Sequence, residues 1–453
     1  MCSLVQKYNV PGPRYTSYPT VPFWDISTFS GKKWEETVKK SFHLSNSSTG
    51  ISLYIHLPFC ESMCTFCGCH KRITKRHDLE LPYIKSVLKE WGLYRNLFNE
   101  KPIIKELHLG GGTPTFFTPE NLKFLIEGIL RVANKAEDAE FSFEGHPNNT
   151  TKEHLQALYD VGFRRVSFGV QDYNETVQKA INRIQPFENV KNVTEWSREI
   201  GYDSVSHDII FGLPHQKLDH VINTIEKTKE LKPDRIAFYS YAHVPWLAGN
   251  GQRGYNDADL PAGEEKRAQY EVGKELLLNY GYHEIGMDHF ALESDSLFKA
   301  MESGSLHRNF MGYTSSNTHL MVGLGASSIS DSWYGFAQNV KNVEEYQSLV
   351  ANDIIPLYRG HILTEEDQII RRHILNLMCQ FQTSWSVFKL HLPQMESILE
   401  RLKELAEDNI VVITEGNLKI TEKGRPFVRN VCMAFDLPLQ DKSPNTKLFS
   451  MTV

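Results

Sequence analysis

At 453 residues, 41% of them hydrophobic, the chain can bury a large core and has the length of two or three domains or of one large barrel with an appendage. Its 49 Lys and Arg stand against 55 Asp and Glu, a formal charge of −6, so there is no overall cationic field to capture nucleic acid or an anionic membrane. The opening MCSLVQKYNVPGPRY lacks the features of a signal peptide, and no stretch reaches about 18 consecutive apolar residues, so a cytoplasmic protein, monomeric by default, is expected. Seven cysteines, with Cys2, Cys379 and Cys432 far apart, do not make a secreted disulfide framework, and reduced thiols free to bind metal are expected.

In chain order, residues 1–45 read as an N-terminal arm. From residue 50 to about 245 one unit recurs: a short alternating strand, a Gly- or Pro-rich turn, then a helical pattern. The strand runs are GISLYIHL, IKELHLGGG, AEFSFEGHP, RRVSFGVQ, SVSHDIIFGLP and RIAFYSYAHV. The helical run PENLKFLIEGILRVAN opens on Thr118 and Pro119, a good cap and first turn. A polar, Gly-rich loop, WLAGNGQRGYNDADLPAGEE, follows, long enough to be functional, and then a helix through LLLNYGY. Beyond residue 360 two amphipathic helices and a hairpin with a Glu-Gly turn, NIVVITEGNLKIT, read as a mostly helical domain.

Side chains alternate across a strand, so Ile51, Leu53, Ile55 and Leu57 share one face and Ser52, Tyr54 and His56 the other. The same split opposes Phe141 and Phe143 to Ser142, Glu144 and His146, and Val166, Phe168 and Val170 to Ser167, Gly169 and Gln171. Five of the six strands repeat a small or polar face. A filled eight-stranded barrel packs its interior with Val, Ile and Leu, and an open doubly wound sheet reads as continuously apolar strands. The pattern therefore predicts an α/β fold, an incomplete (β/α)6 TIM-like barrel with a polar lumen over 46–360, flanked by the arm over 1–45 and the helical domain over 361–453.

Four cysteines, Cys60, Cys64, Cys67 and Cys69, follow the first strand as CESMCTFCGC. Structural zinc usually draws on two separated ligand pairs, and no second CxxC or HxxxH is present. One short loop instead suits an iron–sulfur cluster. Three thiolates on a four-iron cluster leave one iron open, and CxxxCxxC in this setting resembles the radical S-adenosylmethionine enzymes.

The extension to CxC, with YNVPGPRYTSYPT, HLGGGTPT, SFGVQD, DIIFGLP, IGMDHFA and LHRNFMGYT in order, narrows the resemblance to the oxygen-independent coproporphyrinogen III dehydrogenases (oxidases). The resemblance implies a [4Fe-4S] cluster, two S-adenosylmethionine molecules, an external one-electron donor and an acceptor, and coproporphyrinogen III as substrate. It places the cluster on Cys60, Cys64 and Cys67, with Cys69 accessory. It places the cofactor contacts on Tyr54, Phe66, Gly111, Gly112, Thr113, Glu144, Gln171, Arg183, Asp208, Ala242 and Ile329. The radical arises on the cofactor, so no catalytic side chain is assigned. A tetrapropionate substrate needs cations, and Arg14 on the arm is the candidate, with Lys71, Arg72 and Arg308 on or near loops. Where relatives carry an acidic or amide residue before Pro147, this chain has His146, which bears on local hydrogen bonding. A radical haem chaperone or haem-modifying methyltransferase is the alternative, and such chaperones generally lack the CxC extension and the PGPRYTSYPT arm.

Overall fold

The computed structural model describes residues 4–246, 251–252, 254–386, 392–441 and 448–452. Cys2, and residues 247–250 and 253 of the Gly-rich loop, lie outside the described residues. All six strands read from the sequence form, as β1 (Ile51–Leu57), β2 (Ile103–Gly111), β3 (Asn134–Gly145), β4 (Arg165–Gln171), β5 (Ser204–Phe211) and β6 (Arg235–Ser240). They pair in parallel in that order, joined by helices Glu80–Arg95, Pro119–Arg131, Lys152–Asp160, Phe187–Ile200 and Leu218–Leu231.

The sheet runs further at both ends. Beyond β6 lie β7 (His283–Gly286) and β8 (His289–Ala291), in the order β6, β8, β7. Beyond β1 lie β9 (Met321–Leu324), β10 (Ile329–Asp331), β11 (Gly335–Asn339) and β12 (Leu357–Ile362). Only β9 joins β1 in parallel, as a seventh parallel strand, and β10 to β12 continue antiparallel. The two ends of the sheet do not pair among the described residues, so the barrel is incomplete, as the unit count predicts.

Strand alternation decides what each face does. Ile51, Leu53, Ile55 and Leu57 are fully buried against the outer helices, where they meet Tyr83, Val87 and Trp91. Burying each such side chain stabilises the fold by about 1.5–3 kcal/mol. Thr118 caps the helix Pro119–Arg131, its hydroxyl accepting from Asn121 N at 3.3 Å. The helix Glu80–Arg95 carries buried carboxylates into this outer layer, Glu90 among them. Glu90 is fully satisfied by Gly325 N at 2.8 Å, Asn339 Nδ2 at 2.6 Å and the Tyr346 hydroxyl at 2.7 Å, which ties the β9–β11 segment to helix Glu80–Arg95. Burial pushes it up to about 7.

The inner face is polar and, at its lower end, closed. Glu106 accepts from Ser52 Oγ at 2.8 Å and from Thr314 Oγ1 at 2.6 Å, which seats the hairpin His307–Asn309 and Gly312–Thr314 inside the barrel. Next to it Arg165 donates to Glu140 at 2.8 Å, and Arg235 pairs with Asp295 at 2.6 Å. Burial alone would raise Glu140, but Arg165 and Arg235 hold it down at about 2. The open part of the lumen therefore lies above this layer, at the C-terminal ends of the strands.

The arm and the C-terminal elements form one seat. Tyr8, Tyr15 and Tyr18 enter the same apolar cluster as Ile374, Leu402 and Phe427 of the C-terminal region. Arg429 is buried and donates to Pro13 O at 2.8 Å, Met451 O at 2.9 Å and Thr452 O at 3.3 Å, and also to Gly12 O. A Cβ at Gly12 would lie 2.6 Å from Thr452, so only glycine lets the two chain ends approach this closely. The C-terminal hairpin forms as Val411–Thr414 and Asn417–Ile420 around Glu415 and Gly416.

Candidate functional site

The cysteine loop begins where β1 ends. Phe59–Cys60 pairs with Arg72–Ile73 to close its neck, while Gly112 N donates to Leu57 O at 2.8 Å and Thr113 N to Phe59 O at 2.9 Å. The far side is anchored by Thr65 N on Ile181 O at 2.9 Å and Asn182 Nδ2 on Met63 O at 2.8 Å. Lys71 Nζ donates to the carbonyls of Cys67 at 3.2 Å and Cys69 at 3.3 Å.

Within this frame Cys60, Cys64 and Cys67 line one cavity of about 260 Å³ with Gly112, Thr113 and Arg183, whereas Cys69 is exposed and is not in its lining. Among the described residues no three His, Cys, Asp or Glu side chains converge on a single-ion position. Three thiols lining one cavity are the kind of donor set that a thiolate-held iron–sulfur cluster uses. The surroundings also differ between the thiols. Burial pushes Cys60 up to about 11, although Thr113 Oγ1 lies 3.3 Å from its sulfur. Cys67 is pulled down to about 6 by the hydrogen bond from Cys69 and, against its burial, by Lys71 and Arg183.

Arg183 joins the loop to the strands, with Nη1 3.8 Å from Cys64 Sγ and Nη2 donating to Gly169 O at 2.7 Å. Its Nε is buried with no partner among the described residues. His146 lines the same cavity. Burial and then the Arg183 charge push it down to about 3, so it is a neutral imidazole at physiological pH, its Nδ1 accepting from Asn148 N at 3.1 Å.

Deeper in the lumen, Tyr54 stacks on His108 at 6.1 Å between ring centres and places its hydroxyl 3.0 Å from His56 Nδ1. His108 lies 2.8 Å from Ser142 Oγ and 3.5 Å from Glu144 Oε1. A Cβ at Gly110 would stand 3.1 Å from both Glu144 and the Tyr54 ring, so the glycine keeps that corner open. Asp208 accepts from Ser167 Oγ at 2.8 Å, and burial, reinforced by Glu144, pushes it up to about 6. Glu144 and Asp208 line one cavity with His108, Tyr239 and His289.

The other residues named from sequence fall around this axis. Gly111, Gly112 and Thr113 form the turn under the cysteine loop. Gln171 sits at a bulge between β4 and β5 with φ of 66°, its amide over Gly169, where a Cβ would approach within 2.4 Å. Phe66 and Ala242 are joined by buried Gln252, whose Nε2 donates to both carbonyls at 3.0 Å. Ile329 packs its side chain on Trp24 and Phe336, away from the lumen. Its carbonyl nevertheless lies over Gly323, the register partner of Tyr54. Arg14 reaches across the opening to Ser240 O at 3.0 Å and to Asp288 at 3.5 Å. Arg72 pairs with Glu344 on the outside.

Sequence reasoning missed Gln252, which no local pattern marks, and His289, which the strand parity did not cover. His108 was within reach, since it shares the inner face of β2 with Glu106 and Gly110.

A three-thiol loop behind the first strand of a partial parallel barrel, opening onto a polar lumen, defines a radical S-adenosylmethionine protein, and the radical SAM superfamily profile matches residues 54–228. The likeness extends over the whole chain. It is 37% identical to the oxygen-independent coproporphyrinogen III oxidase of Synechocystis over 99% of this chain and 97% of that one, and 36% identical to the Helicobacter pylori enzyme over 99% and 98%. The structure of coproporphyrinogen III oxidase from Escherichia coli, described as a radical SAM enzyme, superposes with a TM-score of 0.88 at 35% identity, covering 94% of this chain and 98% of that one. The chain belongs to the family of oxygen-independent coproporphyrinogen III oxidases, and membership implies a [4Fe-4S] cluster and S-adenosylmethionine.

Proposed function

We propose that this chain carries out the oxygen-independent step of haem synthesis in which two propionates of coproporphyrinogen III become vinyl groups, giving protoporphyrinogen IX. The observation that carries the reading is the three-thiol cavity set beside a carboxylate-lined lumen, in a chain collinear with oxygen-independent coproporphyrinogen III oxidases over 99% of its length. For each propionate, one hydrogen atom leaves the β-carbon, carbon dioxide departs, the double bond forms and one electron passes to an external acceptor. When bound, a [4Fe-4S] cluster and S-adenosylmethionine, fed by an external one-electron donor, supply the acceptor for that hydrogen atom.

In this reading Cys60, Cys64 and Cys67 hold the cluster, and Cys69 stays beside it. Gly111, Gly112 and Thr113 offer backbone at close approach. Glu144 and Asp208 accept hydrogen bonds from hydroxyl and ammonium groups, and Arg183, with its unpartnered Nε, pairs a carboxylate. Tyr54, Phe66, Gln171, Ala242 and Ile329 complete contacts to two cofactor molecules. The arm, residues 1–45, brings Arg14 over the barrel of 46–360, and the region 361–453 seats that arm. The reading takes the protein as a cytoplasmic monomer. No helix among the described residues is long and apolar enough to cross a membrane.

The test is anaerobic reconstitution of the cluster, then reductant, S-adenosylmethionine and coproporphyrinogen III, with mass analysis. Protoporphyrinogen IX and 5′-deoxyadenosine are expected. Haem binding with no porphyrinogen product would overturn the reading in favour of a chaperone.

A further inference from the structure

A further cavity, of about 80 Å³, lies where β5, β6, β7 and the turn after it, the helix Gly263–Asn279, the arm and the C-terminal region meet. One side of it is apolar, with Phe211, Phe238, Met287 and Phe381. The other side is cationic, and most of its charges are already engaged. Arg429 is spent on four carbonyls, Arg267 pairs with Glu271, Arg425 with Glu422, and Glu284 takes Tyr270 and Lys274.

Arg14 and Lys266 remain. Lys266 Nζ donates to the Tyr241 carbonyl at 2.9 Å and, among the described residues, has no carboxylate in its contacts. Arg14 has the Ser240 carbonyl and only a 3.5 Å approach to Asp288, which His289 already holds at 2.6 Å. Behind Arg14, Arg308 is 5% exposed, with Nε and Nη1 unpartnered and Nη2 on Arg14 O at 3.3 Å. Burial would raise Asp288, but His289, Arg308 and Arg14 hold it at about 2. One carboxylate thus serves two guanidiniums and an imidazole, and among the described residues Lys266 has none. The strain shows on Lys266, which burial and then Arg14 and Arg429 push down to about 8.

Half-buried cations beside an apolar wall favour an anion that carries an apolar stem. The cavity shares a wall with the lumen, because Ser240 and Asp288 line it while their chain neighbours Tyr239 and His289 line the lumen. It is too small for a ring system but has room for one short side chain. We infer that this cavity clamps a carboxylate on a short alkyl stem between Arg14 and Lys266, and, resting on the function proposed above, that the carboxylate is a propionate of the tetrapyrrole other than the one reacting. Lys266 is then a positioning and specificity residue.

The test uses the anaerobically reconstituted holoenzyme and coproporphyrin III, the oxidised and unreactive tetracarboxylate, read by fluorescence. Lys266→Met should weaken coproporphyrin III binding on the order of tenfold. It should raise KM for coproporphyrinogen III by a similar factor, with kcat changed less than about twofold. Lys266→Arg, which keeps the charge, should recover most of the affinity. The groups facing Lys266 are Arg14 from the arm, Arg429 and Arg425 from the C-terminal region, Asp288 and Glu284 from the sheet, and Arg267 and Tyr270 from its own helix. Lys266 is held near 8, so wild-type affinity should fall as pH rises through about 8, and Lys266→Met should lose that step. Equal affinity in wild type and Lys266→Met, a loss confined to kcat, or displacement of the porphyrin by millimolar phosphate alone would overturn the inference. A wild type that turns over coproporphyrinogen III beside an unchanged Lys266→Met sinks this inference only. A wild type that never turns it over sinks the functional reading.

Discussion

The cysteine loop and the cavity under the arm are two polar sites built in opposite ways. The loop is local: residues 60–71 are closed at the neck by Phe59–Cys60 against Arg72–Ile73 and pinned to the strand ends by main-chain hydrogen bonds. The cavity under the arm is assembled from residues as distant as Arg14, Lys266, Asp288 and Arg429, and it exists only when both chain ends are seated. The barrel alone therefore preorganises the cofactor side, whereas the substrate side depends on long-range closure. Damage to the first should abolish chemistry without loosening the fold, and damage to the second should loosen the fold or weaken substrate binding while the cofactor side survives.

The largest effect belongs to the loop. Cys67→Ala should remove the visible absorbance of the reconstituted cluster and reduce activity to background, with thermal stability of the cluster-free protein within a few degrees of wild type. A large stability loss in the cluster-free variant would break the contrast. On the other side, Arg429→Met strands four carbonyls in the arm seat and should destabilise the protein on the order of 3 kcal/mol, measured by denaturant unfolding, while cluster iron content stays near normal. Proteolysis of the arm should accelerate in that variant.

A smaller effect belongs to Asp208. Its folded value of about 6 lies above the ordinary carboxylate value, so its contribution to stability is fully present at low pH and is lost as pH rises through about 6. As an anion, able to pair with a cationic ammonium, it is populated only above about 6. S-adenosylmethionine affinity, by calorimetry, should therefore strengthen as pH rises through about 6. Asp208→Asn should flatten that dependence, weaken binding at neutral pH by about tenfold, and leave the ligand-free protein as stable or more stable. A steep pH dependence surviving in Asp208→Asn would remove the carboxylate from the site.

Much of the loop and barrel was legible because each signal is contiguous. Alternation in ISLYIHL is imposed by one face packing on helices, and the same alternation put Tyr54 and Glu144 inward, where the structure has them. The seventh parallel strand escaped because Met321–Leu324 is only four residues, MVGL, with no polar residue to mark an inner face. Ile329 gives no polar signal, since its link to Tyr54 runs through a carbonyl above Gly323. The closed lower lumen was also hidden, because Thr314 meets Glu106 across 208 residues of sequence. Arg14 was singled out by its motif, but Lys266 sits in an ordinary-looking helix start and acquires its character only from neighbours that folding brings together.

Whether three thiols or four carry the cluster is decided by the iron and sulfide content of Cys64→Ala and Cys69→Ala after identical anaerobic reconstitution. Cys64→Ala should hold no four-iron cluster and release no 5′-deoxyadenosine, against wild-type iron content in Cys69→Ala, whose thiol lies outside the cavity lining. Equal loss of iron in the two variants would contradict the three-thiol assignment.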